Sequence, residues 1–200
     1  MAVDMFLKIG DIKGESADDK HAGEIDVLAW SWGMSQSGTT HTGTGGGAGK
    51  VSVHDISVTK HCDKATPPLM LACCNGKHYP EAKLTVRKAG EKPLEYLKIT
   101  MKDVLITSYS TGGSGGEDRL SENLNLNFSE FKVEYTPQKP DGTGDAVVEI
   151  GYNIAKNVIR LVQNPKTMTV HLSEVAAAAE QFKPDAIVMS GTYSDFDYYN

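Results

Sequence analysis

The amino-acid sequence predicts a mainly β protein, a β-barrel of two sheets with one short packed α-helix. Three observations carry this prediction: the chain of 200 residues contains 20 glycines, its apolar side chains alternate with polar ones, and the alternation slips by one residue at several points. Glycine at this frequency indicates many turns, and a period of two indicates strands with one buried face. A one-residue slip exchanges the two faces of a strand and is typical of β-bulges in strongly curled sheets.

The strands follow in chain order. A first strand runs through Met5-Phe6-Leu7-Lys8-Ile9 and ends at Gly10. In the second, Ile25 and Val27 share one phase while Trp30, Trp32 and Met34 share the other, so one extra residue near Leu28-Ala29 would reconcile the two registers. Later slips separate Val51 and Val53 from Ile56 and Val58; Leu97, Ile99 and Met101 from Val104 and Ile106; and Leu124, Leu126 and Phe128 from Phe131, Val133 and Tyr135.

One segment has the signals of a helix. Thr66 is a candidate N-cap, Pro67 fits the first helical position, an apolar run follows to Cys74, and Gly76 is a stop signal. Because this helix is short and apolar around much of its surface, we expect it to plug a barrel mouth or pack against the sheet. Further strands are predicted over residues 83–88, 95–108, 123–135 and 147–152.

Composition excludes several classes of partner. A formal net charge of -6 and an isoelectric point near 5.5 provide no basic surface for nucleic acid.

Three cysteines, two of them adjacent, fit reduced cytoplasmic thiols better than a disulfide framework. The start of the chain has Asp4 where a signal peptide needs basic residues, and no apolar run could span a bilayer. The sequence is still compatible with secretion by a machine that needs no signal peptide.

No segment predicts an active site, a metal site or a cofactor site. The Gly-rich loop over residues 37–50 ends in Gly-Lys, but a phosphate loop needs Ser or Thr and a helix next, and Val51 begins a strand instead. Ser114 lies between two glycines without the full pattern of a nucleophile elbow. Cys73 and Cys74 diverge on a helix, so they cannot easily share one ion with His78. We therefore expect a protein that is not an enzyme.

Two groups of strand residues indicate which strand faces are buried in the core and which meet water or another protein. Trp30 and Trp32 flank Ser31 with the spacing of core residues, which we prefer to a ligand-stacking platform. The strand near residue 125 has a polar side that opposes an apolar side, so it meets either water or a polar protein surface. The polar side comprises Asn123, Asn125, Asn127 and Ser129.

Several unusual segments resemble one family. They are HAGEIDVLAWSWGMSQSG, the loop ending GGGAGKV, CNGKHYPEAKLTVRKAG and STGGSGGEDRLSENLNLNF, with GYNIAKNV near the end of the match. They are similar, in the same order, to the haemolysin-coregulated protein (Hcp) family, the tube subunit of the bacterial type VI secretion system. The resemblance covers residues 1–157 and divides the chain into an Hcp-like β-barrel domain and a C-terminal extension, residues 158–200.

The resemblance implies a homohexameric ring that stacks into a tube, with a spike protein, contractile sheath and baseplate as partners and small effector proteins in the lumen. It implies a subunit that is cytoplasmic before firing and then secreted without a signal peptide. It also suggests that Ser31 and Ser114 face the lumen. The loop over residues 37–50 is long enough to reach an adjacent ring, and its ring-stacking candidates are Thr39, Thr40, His41, Thr42, Thr44 and Lys50.

The extension leaves alternatives open. A short helix is possible from Ser173 to Phe182, and residues 192–200 are aromatic and acidic. The extension could be a structural element docked on the barrel or on a neighbouring ring, a fused effector, cargo or binding module, or a segment with no selected role. A catalytic toxin is disfavoured, because 43 residues seldom enclose an active site. A lectin-like sandwich lacks a coherent cluster of sugar-binding residues.

Overall fold

The computed structural model describes residues 3–38, 48–90, 93–116 and 118–160. The possible helix after Ser173 therefore lies outside the described residues. The elements within them are β1 (Val3–Ile9), β2 (Ile25–Ser31), β3 (Met34–Gly38), β4 (Ala48–Val53), β5 (Ile56–His61), α1 (Thr66–Asn75), β6 (His78–Lys88), β7 (Leu94–Gly112), β8 (Ser121–Asn127), β9 (Glu130–Tyr135), β10 (Val148–Asn153) and β11 (Val158–Arg160).

Six strands close into a barrel. Around the barrel the order is β7, β6, β1, β2, β5 and β8, and β8 pairs with β7 to complete the circle. Strands β9, β10 and β11 extend the sheet outward from β7, whereas β3 and β4 form a separate two-stranded sheet. Every recorded pairing is antiparallel. The prediction of a mainly β barrel with one short helix is confirmed.

The phase breaks mark bends in the strands. The pairing of β2 with β5 shifts register between Val27 and Ala29, which leaves Leu28 as the extra residue that the sequence predicted. After this bulge Trp30 packs against the core, as does Trp32, so the preference for core tryptophans is confirmed. In β7 the break falls at Asp103, whose φ of 53° lies in the left-handed region.

A third break separates β8 from β9. Both strands pair with the same side of β7, β8 with its second half and β9 with its first half. On their other sides the two strands diverge, since β8 pairs with β5 and β9 with β10. The break between Phe128 and Phe131 is therefore the corner at which the chain leaves the barrel and enters its extension.

Helix α1 packs on the barrel through Leu69 and Ala72, which are buried, and ends at Gly76 with a φ of 63°. The expected N-cap is wrong, because the N-cap residue is Ala65 and no side chain caps the helix. The Thr66 hydroxyl instead donates to the buried carboxylate of Glu122. In the described part of the chain, no helix has the length and apolarity needed to cross a membrane.

Candidate functional surfaces

One outer surface of the barrel consists of short, uncharged polar side chains. Cross-strand pairing aligns Ser31 with Ser57, Ser57 with Asn125, and Asn125 with Ser108 across four neighbouring strands. The next row begins at Ala29 and continues into three more polar residues by the same pairings. We call the following set the small polar face: Ser31, Ser57, Thr59, Ser108, Ser110, Asn123 and Asn125.

Cross-strand hydrogen bonds join four of these side chains in pairs. Ser57 Oγ donates to Asn125 Oδ1 at 2.7 Å, and Thr59 Oγ1 donates to Asn123 Oδ1 at 2.6 Å. Asp55 lies at one end, where it accepts from Asn127 and Thr107. Short neutral groups that already bond to each other form few strong contacts with a partner, so this face suits weak, changeable contacts better than a tight specific site.

The predicted polar side of β8 is present. Leu124, Leu126 and Phe128 are 1%, 0% and 5% exposed, whereas the asparagines between them point outward. One face of the strand thus belongs to the barrel core and the other to the small polar face. The sequence signal extends to β5, in which Ser57 and Thr59 alternate with Ile56 and Val58.

The two serines singled out from the sequence are both exposed. Ser31 ends β2 and belongs to the small polar face. Ser114 lies outside that face, in the turn that joins β7 to β8, two residues after the last residue of β7. They therefore sit towards opposite ends of the surface formed by β2, β5, β8 and β7.

The candidate ring-stacking loop is the connection between β3 and β4. Its base is anchored, because Trp32 Nε1 donates to the His54 carbonyl at 3.0 Å and His54 N donates to the Gly33 carbonyl at 3.0 Å. Lys50 is exposed on β4, and its place in a strand agrees with the rejection of a phosphate loop. The other candidates, Thr39, Thr40, His41, Thr42 and Thr44, lie outside the described residues.

The sheet extension has an apolar surface that the barrel does not cover. On its inner side Phe131 and Tyr152 are buried and pair across β9 and β10. Towards the end of β9 and the start of β10 the same side becomes exposed, with Tyr135 at 47%, Val148 at 63% and Ile150 at 45%. We call these last three residues the extension patch. Tyr135 and Val148 pair directly across β9 and β10, and Ile150 lies on the same side of the sheet, so the three side chains form one exposed apolar surface.

A buried polar cluster joins the barrel to the start of α1. Lys60 and Glu122 are both 0% exposed, and Lys60 Nζ donates to Glu122 Oε1 at 2.5 Å and to Asp63 Oδ1 at 2.7 Å. The other Glu122 oxygen accepts from Tyr109 OH at 2.8 Å and from Cys62 Sγ at 3.2 Å. Each charge thus has its partners within the cluster, as buried charges require.

The cluster changes the acidity of its members. Burial raises the pKa of Glu122, but hydrogen bonds from Lys60, Tyr109 and Cys62 outweigh burial, and the net shift is downward. Burial and then the Glu122 carboxylate raise the pKa of Tyr109 to about 12, and the same two causes raise the pKa of Cys62. Neither the phenol nor this thiol is therefore activated as a nucleophile near neutral pH.

Neither this cluster nor the extension patch was predicted from the sequence. A signal for the cluster was present: Lys60 continues the buried phase of Ile56 and Val58, and Glu122 precedes Leu124 in the buried phase of β8. Opposite charges in two buried phases indicate an ion pair if the strands are neighbours. Among the described residues no group of three metal-ligating side chains comes together, and the cysteines there are free thiols.

Comparison with known proteins identifies a family for the β body. The sequence profile described as "Type VI secretion system effector, Hcp" matches residues 6–135. Protein hcp1 of Pseudomonas aeruginosa is 67% identical over 160 residues, which covers 79% of this chain and 99% of that protein. The aligned relative is thus covered almost completely, while part of this chain has no counterpart in it.

Solved structures agree with the sequence match. Hcp1 from Salmonella typhimurium is 43% identical, with a TM-score of 0.64 over 77% of this chain and 96% of that one. A type VI secretion system effector from Yersinia pestis is 37% identical, with a TM-score of 0.63 over 75% of this chain and 99% of that one. A further type six secretion system protein reaches a TM-score of 0.73 at 30% identity over 76% and 96%. This chain belongs to the Hcp family of type VI secretion proteins.

Proposed function

We propose that this Hcp protein is the structural tube subunit of a type VI secretion system, that it assembles as a hexameric ring, and that stacked rings carry small effector proteins. The observation that carries the assembly is the extension patch, in which Tyr135, Val148 and Ile150 expose the apolar side of β9 and β10. A second copy of the chain that covers this patch would remove apolar surface from water, which favours association.

The edge of the sheet supports the same proposal. β11 ends the nine-stranded sheet and pairs only with β10 among the described strands. An open edge offers unpaired backbone groups to another chain. Patch and edge lie on adjacent strands, so one neighbouring subunit can cover both.

A charged substitution in the extension patch tests whether this patch holds the ring together. Val148→Glu places a carboxylate where a neighbouring subunit would bury it, so we expect the ring to dissociate into smaller species in sedimentation velocity at a protein concentration at which the parent protein is hexameric. Met70→Glu is the matched control, because Met70 is 45% exposed on α1 and lies away from the patch. Hexamers of Val148→Glu with the stability of the parent would refute the role of the patch.

The lumen proposal rests on the small polar face. Short neutral side chains leave room for cargo and hold it weakly, as a carrier that must release its effectors requires. Ser31→Gln and Ser114→Gln should each reduce the effector that co-purifies with the ring while ring formation stays intact, because a longer side chain occupies the cargo space. Unchanged co-purification with both serines replaced would contradict the assignment of these positions to the lumen.

The remaining partners and the route follow from the same proposal. The tube would contact a spike protein, a contractile sheath and a baseplate, and the subunit would reside in the cytoplasm before export without a signal peptide. Residues 1–157 would form the tube domain and residues 158–200 the extension, of which the first three residues add β11 to the sheet. The connection between β3 and β4, with Lys50 beside it on β4, would contact the adjacent ring.

A further inference from the structure

A groove on the barrel surface lies beside α1, away from the small polar face and the extension patch. It has a volume of about 400 Å³ and runs between the connection after β1 and one side of the helix. Pro68, Leu71 and Asn75 line it from the helix, since a spacing of three and four residues places them on one helical face. Tyr79 of β6 and Ile12 complete the apolar part.

The groove has an apolar lining and a mostly basic rim, in which Asp11 is the one acidic residue. Leu71 is 62% exposed there, the second highest exposure among the large apolar residues described. Lys13, Lys64 and Lys77 surround it. Lys77 Nζ lies 3.6 Å from Asp11 Oδ1 and 4.7 Å from the centre of the Tyr79 ring. Within the described ranges, neither Lys13 nor Lys64 forms an ion pair.

This combination selects the chemistry of an occupant. An exposed leucine between lysines favours a segment that presents apolar or aromatic side chains together with carboxylates. Aromatic rings would cover Leu71 and meet lysine ammonium groups, which are attracted to ring faces. Carboxylates would pair with the two lysines that have no recorded partner. Each exposed ion pair contributes only about 0–1 kcal/mol, so the apolar contact would supply most of the affinity.

The same chain contains such a segment in its last nine residues, TYSDFDYYN. Tyr193, Phe196, Tyr198 and Tyr199 alternate there with Asp195 and Asp197, and no lysine or arginine interrupts them. A net charge of -6 for the chain makes a basic rim unusual on this protein. The acidic, aromatic segment is thus complementary to the basic, apolar groove in charge and in apolar character.

The length of chain between them permits the contact. Residues 161–192 separate the end of β11 from Tyr193, the first aromatic residue of that segment. A flexible chain of that length would span about 30 Å on average and about 100 Å when extended. A domain of this size is about 40 Å across, so the segment can reach the groove on its own subunit or on an adjacent one.

We propose that the groove lined by Leu71, Lys13 and Lys64 is the docking site for residues 193–199 of this chain. The docking attaches the extension to the outside of the barrel. It leaves the small polar face and the extension patch free, and it gives the extension a structural role.

Zero-length carbodiimide cross-linking of the full chain tests the proposal, because it joins a lysine to a carboxylate only when the two groups touch. We expect cross-linked peptides that join Lys13 or Lys64 to Asp195 or Asp197. The pair Lys77 and Asp11, 3.6 Å apart, is an internal positive control. Mixing of light and heavy isotope-labelled protein then tells which copy donates the segment, and either origin supports the docking.

A matched pair of substitutions tests the apolar lining of the groove. Leu71→Ser removes the side chain that the segment would cover, and burial of a leucine corresponds to a factor of about ten or more in an equilibrium constant. We expect the cross-links of Asp195 and Asp197 to fall by about that factor while the Lys77 to Asp11 product remains. Met70→Ser should leave both products unchanged, since Met70 is similarly exposed on α1 and does not line the groove.

Three results would overturn the proposal. The first is an absence of cross-links from Asp195 and Asp197 when the Lys77 to Asp11 product forms. The second is a preference of these residues for lysines elsewhere, such as Lys20. The third is an equal loss in Leu71→Ser and Met70→Ser. Ring formation is measured on the same samples, so failure of the docking is distinguishable from failure of assembly.

Discussion

The buried pair of Lys60 and Glu122 allows a sharp test of the structure. Lys60→Met keeps an unbranched side chain of similar length but removes the ammonium group. Glu122 would keep its hydrogen bonds from Tyr109, Cys62 and Thr66, yet it would lose its only cation recorded among the described residues. Asp63, whose side chain is 6% exposed, loses the same cation.

The expected cost is large. Removal of one partner from a buried ion pair typically costs about 3–5 kcal/mol, because the remaining charge stays buried without compensation. Two carboxylates share Lys60 here, so we expect the upper part of that range. For a domain of this size each kcal/mol lowers the melting temperature by about 2–4 °C, which corresponds to a decrease of roughly 10–20 °C.

The folding stabilities of the parent protein and of Lys60→Met should change with pH in opposite directions. In the parent protein the pKa of Glu122 is below its ordinary value of 4.5, so the stability that it contributes is present above that value and is lost as the pH falls through the folded-state pKa. Without Lys60, burial should raise the pKa of Glu122 above 4.5 instead. Stability of the variant should then increase as the pH falls from neutrality, and its difference from the parent should shrink.

Urea unfolding followed by fluorescence of Trp30 and Trp32 measures this difference at neutral and mildly acidic pH. Protein concentration is kept constant, since assembly adds to the apparent stability. Lys8→Met is the control: Lys8 is exposed on β1, and surface substitutions usually change stability by less than about 0.5 kcal/mol. A loss in Lys60→Met no larger than that control, or one that grows in acid, would refute the reasoning.

Two further predictions concern a close backbone approach and a thiol. Gly14→Ala should destabilise the protein by about 1–3 kcal/mol or more in urea unfolding, because its Cβ would lie 2.2 Å from the Glu24 carbonyl oxygen. Gly90→Ala should be neutral, since no atom of the described residues lies within 4 Å of its Cβ, and equal stabilities of the two variants would contradict the close approach at Gly14. Iodoacetamide should alkylate exposed Cys74 before Cys62, whose pKa is raised by burial and by Glu122. Peptide mass spectrometry measures both rates, and faster reaction of Cys62 would count against the cluster.

Much of the fold was predictable because strand faces are a local property. Alternation of apolar residues depends only on the two-residue period of a strand, so the bulge at Leu28 and the break between Phe128 and Phe131 could be located from the sequence. The helix end at Gly76 was also local, since glycine adopts the left-handed conformation there without steric cost. The resemblance to the Hcp family rested on contiguous segments and needed no tertiary information.

The start of the helix was less predictable. Thr66 has the residue type of an N-cap, but its hydroxyl bonds Glu122, 56 positions later in the chain. A buried carboxylate binds a hydroxyl more strongly than a helix end does. The local preference was therefore overridden by a partner that no nearby residue reveals.

The sequence by itself determined the class of fold, the faces of the strands, the family and the absence of a recognisable catalytic motif, because each of these depends on residues that are near one another in the chain. The tertiary structure decided the closure of the barrel through β7 and β8, the pairing of Lys60 with Glu122, and the alignment of serines and asparagines from four strands into one polar face. These features depend on strand partners and on register. Pairing across tens of residues is set by the packing of the whole core, and local patterns do not encode it.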